Sequence, residues 1–325
     1  MKRRTFLQLG AVAATAAAPA RYAAAQADWP NRPVRFVIPF PPGGGGDVIA
    51  RAAAEKTAEI LKQAVVVENR PGGNAVIAAT AVAQAAPDGY TFLWEGNNHL
   101  TNKLLVKDLT LDYRTAFAPV MLTARFPQVL AVRDDFPART FDDFVTHARA
   151  NPGRVTCGTP AAGGMGHLAL ELLQRRGDFR LIHTPYRGGP EATRDLMGGQ
   201  IDAVLLTTST IRPALQGGKA RVIAVSSAQR VAMFPDAPAI AERYAGYDMD
   251  DWNGLFAPAG TPDGVIAKAN AAVAQALRDP GVVARMAPTG TVLAPTTTAE
   301  FVAWLARQRE TMERIIRDAD ITLTS

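Results

Sequence analysis

The stretch VRFVIPFPPGGGGDVIARAAAEKTAEIL, residues 34–61, decides the fold. Val34–Phe40 is rich in β-branched and aromatic residues and predicts a strand, and apolar residues at helical spacing predict a helix over Asp47–Leu61 with Asp47 as its N-cap. The four glycines between them let a ligand approach the main chain closely. Ligands of α/β sheets lie beyond the carboxyl ends of strands, and helix N-termini attract anions. The stretch therefore predicts an anion-binding loop, although it matches neither the Walker A nor the GxGxxG pattern.

The same alternation of strand and helix continues along the chain and indicates an α/β protein with largely parallel sheets. No repeat and no linker marks a domain boundary. The further predicted strands are Val65–Glu68, Thr91–Trp94, Val129–Val132, Val155–Gly158, Leu181–Tyr186, Ile201–Leu206, Arg221–Val225 and Gly254–Ala257. The further predicted helices are Ala75–Gln84, Thr140–Ala150, Gly166–Gln174, Pro190–Met197, Pro262–Leu277, Pro280–Met286 and Ala299–Asp318.

Three other loops follow predicted strands and are rich in glycine or polar side chains. The loop 158–166 ends next to His167, which is either a binding residue or a structural one. The loop 95–99 contains Asn97 and His99, and the loop 207–210 reads Thr-Thr-Ser-Thr. Together with the glycine loop, they predict a cleft that holds a small anionic ligand through neutral hydrogen-bond donors.

Residues that would carry catalysis or bind a metal are not arranged for either role. None of the four serines stands in a GxSxG motif, and the four histidines form no HExxH pair. Cys157, the single cysteine, is expected to be a small core residue. The acid pairs 134–135, 142–143 and 250–251 are expected to form solvated caps and turns, and Trp252 to be either core or pocket wall. The sequence therefore predicts no catalytic residue, no metal and no cofactor.

The basic N-terminus is expected to be an export signal. Residues 1–25 combine a basic start, a short apolar run and an Ala-rich cleavage site, and Arg3-Arg4 suits the twin-arginine route, with ordinary secretion as the alternative. The apolar run is too short for a membrane span. Cleavage after Ala25 removes four of the 35 basic residues and none of the 30 acidic ones, so the net charge falls from +5 to +1. The basic excess thus indicates export rather than a nucleic-acid partner.

A series of motifs in one order and spacing resembles a known family, the Bug-type periplasmic solute-binding proteins of tripartite tricarboxylate transporters. The resemblance runs nearly end to end in the mature chain. The motifs lie at residues 29–34 (WPNRPV), 39–51, 67–73 (VENRPGG), 86–91 (APDGYT), 151–153, 167–169, 185–188, 196–202 (LMGGQID), 218–221, 235–238 and 252–262 (WNGLFAPAGTP).

The resemblance implies an α/β fold of two lobes joined by two crossover strands, a type II-like periplasmic binding protein with its ligand in the cleft. We place the lobes at 28–123 with 253–325, and at 124–252. It implies a small carboxylate ligand, membrane permease subunits as partners, a periplasmic location and a monomer. Implied ligand-binding residues are Phe40, Pro42, Gly43, Gly44, Gly45, Gly46, Asp47, Asn97, His99, Ala162, Gly163, Gly164, Met165, His167, Thr207, Thr208 and Trp252.

Two departures from the family pattern concern the ligand. The loop before His167 lacks a hydroxyl, and Leu206-Thr207 stands where relatives often carry Asp-Asn. Without that acid, we expect a di- or tricarboxylate or an aromatic acid that lacks an amino group. Two other functions remain open from the sequence, namely an exported α/β hydrolase or transferase and a ligand sensor that docks on a signalling partner.

Overall fold

The structure is a computed structural model, and it describes residues 29–160, 163–186, 188–319 and 321. The predicted export signal and Ala162 lie outside the described residues. Within them the chain forms eleven strands: β1 Val34–Ile38, β2 Val65–Asn69, β3 Thr91–Glu95, β4 Phe117–Phe126, β5 Gln128–Arg133, β6 Thr156–Pro160, β7 Ile182–Tyr186, β8 Ala203–Thr207, β9 Ala220–Val225, β10 Asp251–Pro258 and β11 Val292–Leu293.

The strands form two mixed sheets. The first has the order β11-β4-β10-β3-β1-β2 and the second the order β7-β6-β8-β5-β9. Strand β1 runs parallel to β2 and β3, and β6 runs parallel to β7 and β8. The other pairings, which involve β4, β5, β9, β10 and β11, are antiparallel. The prediction of largely parallel sheets is therefore wrong. The chain crosses between the two sheets, and the strands next to these crossings run antiparallel to the strands beside them.

The predicted helices are confirmed with small shifts at their ends. The helices are Gly45–Leu61, Val76–Ala83, Asn98–Leu105, Phe141–Ala150, Met165–Gly177, Gly189–Met197, Thr208–Gln216, Ile240–Arg243, Asp263–Leu277, Pro280–Met286 and Thr298–Asp318, with short 3₁₀ turns at Gly73–Ala75 and Ala287–Thr289. Two of them begin inside loops of the sequence analysis, at Asn98 and Thr208. Ile240–Arg243 was also not predicted.

Strand β4 is absent from the sequence prediction because Pro119 interrupts its apolar run, and proline cannot donate to a sheet ladder. The structure accommodates it at a register shift, where Pro119 lies opposite Phe256. Strands β4 and β10 pair along their length, from Asp251 opposite Phe126 to Pro258 opposite Phe117. Only Pro127 separates β4 from β5 of the second sheet, so the chain crosses between the sheets there and returns before β10.

The central strands are buried on both faces, as their continuous apolar sequences predict. All five residues of β3 are buried, and so are Ala203 to Leu206 of β8. In the first sheet, Phe36 packs edge-on against Phe92 with ring centroids 6.1 Å apart. None of the helices among the described residues is both long and apolar enough to cross a membrane.

Candidate functional site

A cavity of about 390 Å³ lies where loops from the two sheets meet. The first sheet and its loops supply one set of lining residues: Phe40, Gly45, Gly46, Asn74, Gly96, Asn97, Asn98, Thr101, Phe126, Asp251 and Asn253. The second sheet and its loops supply the other set: Gly163, Gly164, Met165, Thr207, Ser209 and Thr210. No Lys or Arg stands among these lining residues. Among these lining residues, the donors that a negative ligand would meet are therefore neutral.

Four helices begin at the wall of this cavity. Their N-caps are Gly44, Asn97, Gly164 and Thr207, and none of these caps makes a side-chain hydrogen bond to its helix. The first N–H groups of a helix have no partner within the helix, and the helix dipole adds a partial positive charge there. At two of these helices a first N–H group is already paired, that of His99 with the Gly96 carbonyl and that of Thr208 with the Pro127 carbonyl. The helices that begin at Gly45 and Met165 thus direct main-chain donors from both sheets toward one space, which suits an anion.

Asp47 organises the glycine loop instead of lining the cavity. Its carboxylate accepts hydrogen bonds from the Gly43 N–H (2.9 Å), Arg51 Nε (3.0 Å) and Asn69 Nδ2 (2.8 Å). Burial alone would raise the pKa of Asp47, but these hydrogen bonds outweigh it and hold the pKa below its usual value. The N-cap is Gly44 rather than Asp47, so that prediction is wrong. Gly43, at φ +84°, makes the turn that this bond requires.

His167 has the same positioning role in the second glycine loop. Its Nδ1 accepts the Gly163 N–H at 3.0 Å, and its ring stacks on His183 with centroids 4.0 Å apart. His183 Nε2 lies 2.7 Å from Thr159 Oγ1. Burial lowers the pKa of His167, and burial together with His167 lowers the pKa of His183 to about 4. An accepting Nδ1 requires neutral His167, so the loop geometry depends on the uncharged pair.

We expect this pair to make stability depend on pH. The folded pKa values lie below the value of about 6.5 in an unfolded chain, so the unfolded state binds protons first as pH falls. The free energy of unfolding contributed by the pair is complete above pH 6.5 and is lost as pH falls toward 4. Urea unfolding should therefore show a smaller loss of stability between pH 7 and 5 in His183→Gln than in the wild type. The control is His147→Gln, because the His147 ring packs on Phe136 and not in this pair. This variant should lose as much stability between pH 7 and 5 as the wild type.

His99 belongs to the core and not to the cavity wall. It is 4% exposed, and its ring stacks on Phe256 with centroids 3.8 Å apart. Its Nδ1 lies 3.1 Å from Glu95 Oε2. Burial raises the pKa of Glu95 well above its usual value and lowers the pKa of His99 to about 3, which favours a neutral pair with the carboxylic acid donating. The helix that begins at Asn98 turns His99 inward and brings Asn97 and Thr101 to the wall.

Alternation along β10 decides which of its residues reach the cavity. Asp251 and Asn253 line it, whereas Trp252 is fully buried on the opposite face, against Phe301 and Trp304. The sequence predicts that Trp252 is either a core residue or part of the pocket wall, and the structure places it in the core. The expectation that Asp250 and Asp251 form a solvated turn is wrong, since Asp250 is 6% exposed and Asp251 lies in the cavity wall.

The predicted binding residues thus divide into those on the cavity wall and those behind it. Phe40, Gly45, Gly46, Asn97, Gly163, Gly164, Met165 and Thr207 line the cavity, and Pro42, Gly43, Gly44, Asp47, His99, His167, Thr208 and Trp252 do not. Thr208 is turned away because its Oγ1 donates to the carbonyl of Thr289 at 3.1 Å. Lining residues that the sequence analysis did not select are Asn74, Gly96, Asn98, Thr101, Phe126, Ser209, Thr210, Asp251 and Asn253.

Neither the wall nor the core next to it supplies a catalytic nucleophile with a base. Cys157 is fully buried, and burial together with Asp202 raises its pKa to about 12. Ser209 Oγ lies 3.4 Å from Thr207 Oγ1, and no histidine stands among the residues that line the cavity. Within the described residues, no group of three His, Cys, Asp or Glu side chains could hold a metal.

Comparison with known proteins matches this architecture. Residues 49–321 match the family described as the tripartite tricarboxylate transporter family receptor. A UPF0065 protein of Bordetella bronchiseptica is 35% identical over 300 residues, which cover 92% of this chain and 89% of that protein. A TctC solute binding protein from Polaromonas is 26% identical with a TM-score of 0.80, over 89% of this chain and 99% of that one.

A second solved structure, R. palustris Rpa4515 with adipate, is 31% identical with a TM-score of 0.76, over 91% of this chain and all of that one. These findings confirm the two-lobe periplasmic binding protein fold and the family resemblance seen in the sequence. The chain belongs to the receptors of the tripartite tricarboxylate transporter family, which are solute-binding proteins and not enzymes.

Proposed function

We propose that this protein captures a small carboxylate in the cavity between its lobes and delivers it to the permease subunits of a tripartite tricarboxylate transporter. The convergence of four helix N-termini from both sheets on one cavity carries the proposal. A diacid can place one carboxylate at the Gly45 helix and the other at the Met165 helix, with each charge meeting main-chain N–H groups. The adipate in Rpa4515 is a diacid of this kind.

The protein acts in the periplasm as a monomer, and its lobes are 28–123 with 253–325, and 124–252. They close about the paired strands β4 and β10, bury the ligand and present a shape that the permease recognises. Phe40, Phe126 and Met165 supply an apolar lining for the body of the ligand.

A thermal-shift and denaturant screen tests the proposed function. The mature protein is measured with mono-, di- and tricarboxylates of increasing length and with aromatic acids. A true ligand at about 100 times its Kd should add about 2.7 kcal/mol to the free energy of unfolding. Adipamide, which has the length of adipate without its charge, is the matched control and should give no shift. Absence of a shift with every acid, or an equal shift with adipamide, would contradict the proposal.

A further inference from the structure

Asp251 is the one acidic side chain among the residues that line the cavity. Its Oδ1 accepts the N–H of Trp252 at 2.9 Å, and its other oxygen has no partner among the described residues. Burial raises the pKa of Asp251 to about 6. The hydrogen bond from the Trp252 N–H offsets part of this rise, and the neighbouring Asp250 carboxylate adds to it. The nearby Arg125 guanidinium is occupied by Asp248 and Asp250. The wall of the proposed anion-binding cavity therefore carries a hydrogen-bond acceptor that none of the described residues pairs.

The position of Asp251 relates this acceptor to one particular helix N-terminus. Asp251 lies opposite Phe126 in the β4–β10 ladder, so the two side chains share a face. The Phe126 ring is 3.7 Å from the point where a Cβ of Gly45 would lie. Asn253 lies two residues further along β10 than Asp251. Its Oδ1 is 3.0 Å from the point where a Cβ of Gly46 would lie. Asp251 and Asn253 thus border the space in front of the Gly45 helix.

We infer that Asp251 is a specificity residue that accepts a hydrogen bond from a hydroxyl or ammonium group next to the carboxylate bound at the Gly45 helix. The inference rests on the proposed function and names its ligand class, an acid with a donor on the carbon beside one carboxylate. A plain diacid leaves Asp251 unpaired and close to a like charge, which disfavours binding. A ligand with this substituent removes both penalties, because the donor pairs the free oxygen.

This inference revises an expectation from the sequence. The absence of Asp-Asn at 206–207 suggested a ligand without an amino group. Asp251 provides an acid from β10, a different element. A substituted acid and its unsubstituted parent should therefore bind with different affinities, and Asp251 should set that difference.

Sets of diacids that differ at one substituent test the inference by calorimetry. Succinate, malate and aspartate carry hydrogen, hydroxyl and ammonium on the same four-carbon skeleton, and matched sets of five and six carbons cover other lengths. In the wild type, at least one substituted acid should bind about tenfold or more tighter than its parent, the size expected for a hydrogen bond to a charged group. Asp251→Ala should remove this preference and strengthen binding of the parent.

Asp251→Asn separates the two donors. The amide oxygen still accepts from a hydroxyl but lacks the charge that attracts an ammonium group, so a hydroxyl preference should survive in this variant and an ammonium preference should be lost. Asp248→Asn is the control for removal of an acid near Arg125, because Asp248 lies off the cavity wall; it should keep the wild-type preference.

The outcomes distinguish this inference from the proposed function. If acids bind but parents and substituted acids bind equally, or if Asp251→Ala keeps the preference, the role of Asp251 is refuted and the proposed function stands. If no acid of any length binds the wild type, the proposed function fails and the inference fails with it.

Discussion

Replacing Gly46 with valine should weaken carboxylate binding at least 100-fold in a protein that remains folded. A Cβ at position 46 would lie 2.4 Å from the Phe40 ring and 3.0 Å from Asn253 Oδ1. Asn253 is held by the indole N–H of Trp94, 3.3 Å away, so the Phe40 ring or the helix start must move. Movement of the helix start displaces the main-chain donors of the Gly45 helix from a bound carboxylate, and movement of the Phe40 ring changes the cavity wall that it lines. The loss of one or two charge-assisted hydrogen bonds, about 1.5–3 kcal/mol each, accounts for a change of this size.

The experiment compares Gly46→Val with Gly264→Val by calorimetry, using an acid that binds the wild type. Gly264 also lies in the first turn of a helix, Asp263–Leu277, but an added Cβ there meets no heavy atom of the described residues within 4 Å. The control should therefore bind like the wild type. Wild-type affinity in folded Gly46→Val would show that the ligand does not use this helix N-terminus.

Trp252→Ala should lower the free energy of unfolding by about 3–5 kcal/mol, the usual cost of removing a large buried aromatic side chain. Trp252 is fully buried and packs against Phe256, Phe301 and Trp304, with ring centroids 6.4, 6.1 and 4.9 Å away. Its Nε1 has no hydrogen-bond partner among the residues that the structure describes. Trp252→Phe should therefore cost much less, because phenylalanine keeps part of the packing and removes the unpaired donor.

Urea unfolding measures these losses, and calorimetry with the bound acid measures their effect on the site. Trp304→Ala is the comparison, because Trp304 is only partly buried and should cost less than Trp252→Ala. Trp252→Ala and Trp304→Ala should both keep the ligand preference of the wild type under conditions where they are folded. Wild-type stability together with lost binding in Trp252→Ala would instead place this side chain in the site.

The sequence predicts well those elements whose signals are local. Residues 34–61 contain a strand, a glycine turn and a helix, and the structure places them at Val34–Ile38 and Gly45–Leu61. Gly45, Gly46, Gly163 and Gly164, which the sequence predicts to bind the ligand, line the cavity, because a glycine-rich turn between strand and helix places its backbone at the carboxyl end of the sheet.

Elements that depend on distant contacts were missed. The helix Thr208–Gln216 contains threonines and Pro213, which disfavour helix formation. It forms against the helix Gly189–Met197, where Thr193 Oγ1 donates to the carbonyl of Thr210 at 3.2 Å. The helix Asn98–Leu105 spans only eight residues, too few for a clear periodic pattern.

By itself, the sequence determined the α/β class, most of the helices and strands, the family resemblance and the glycine turns that begin two helices at the cavity. These features depend on residue order over short distances, so a single chain segment encodes each one. The tertiary structure decided that four helix N-termini meet, that His99 and Trp252 face the core, and that Asp251 faces the cavity. Those outcomes depend on how β4 and β10 pair across the crossing between the sheets, because one residue of register exchanges the two faces of a strand.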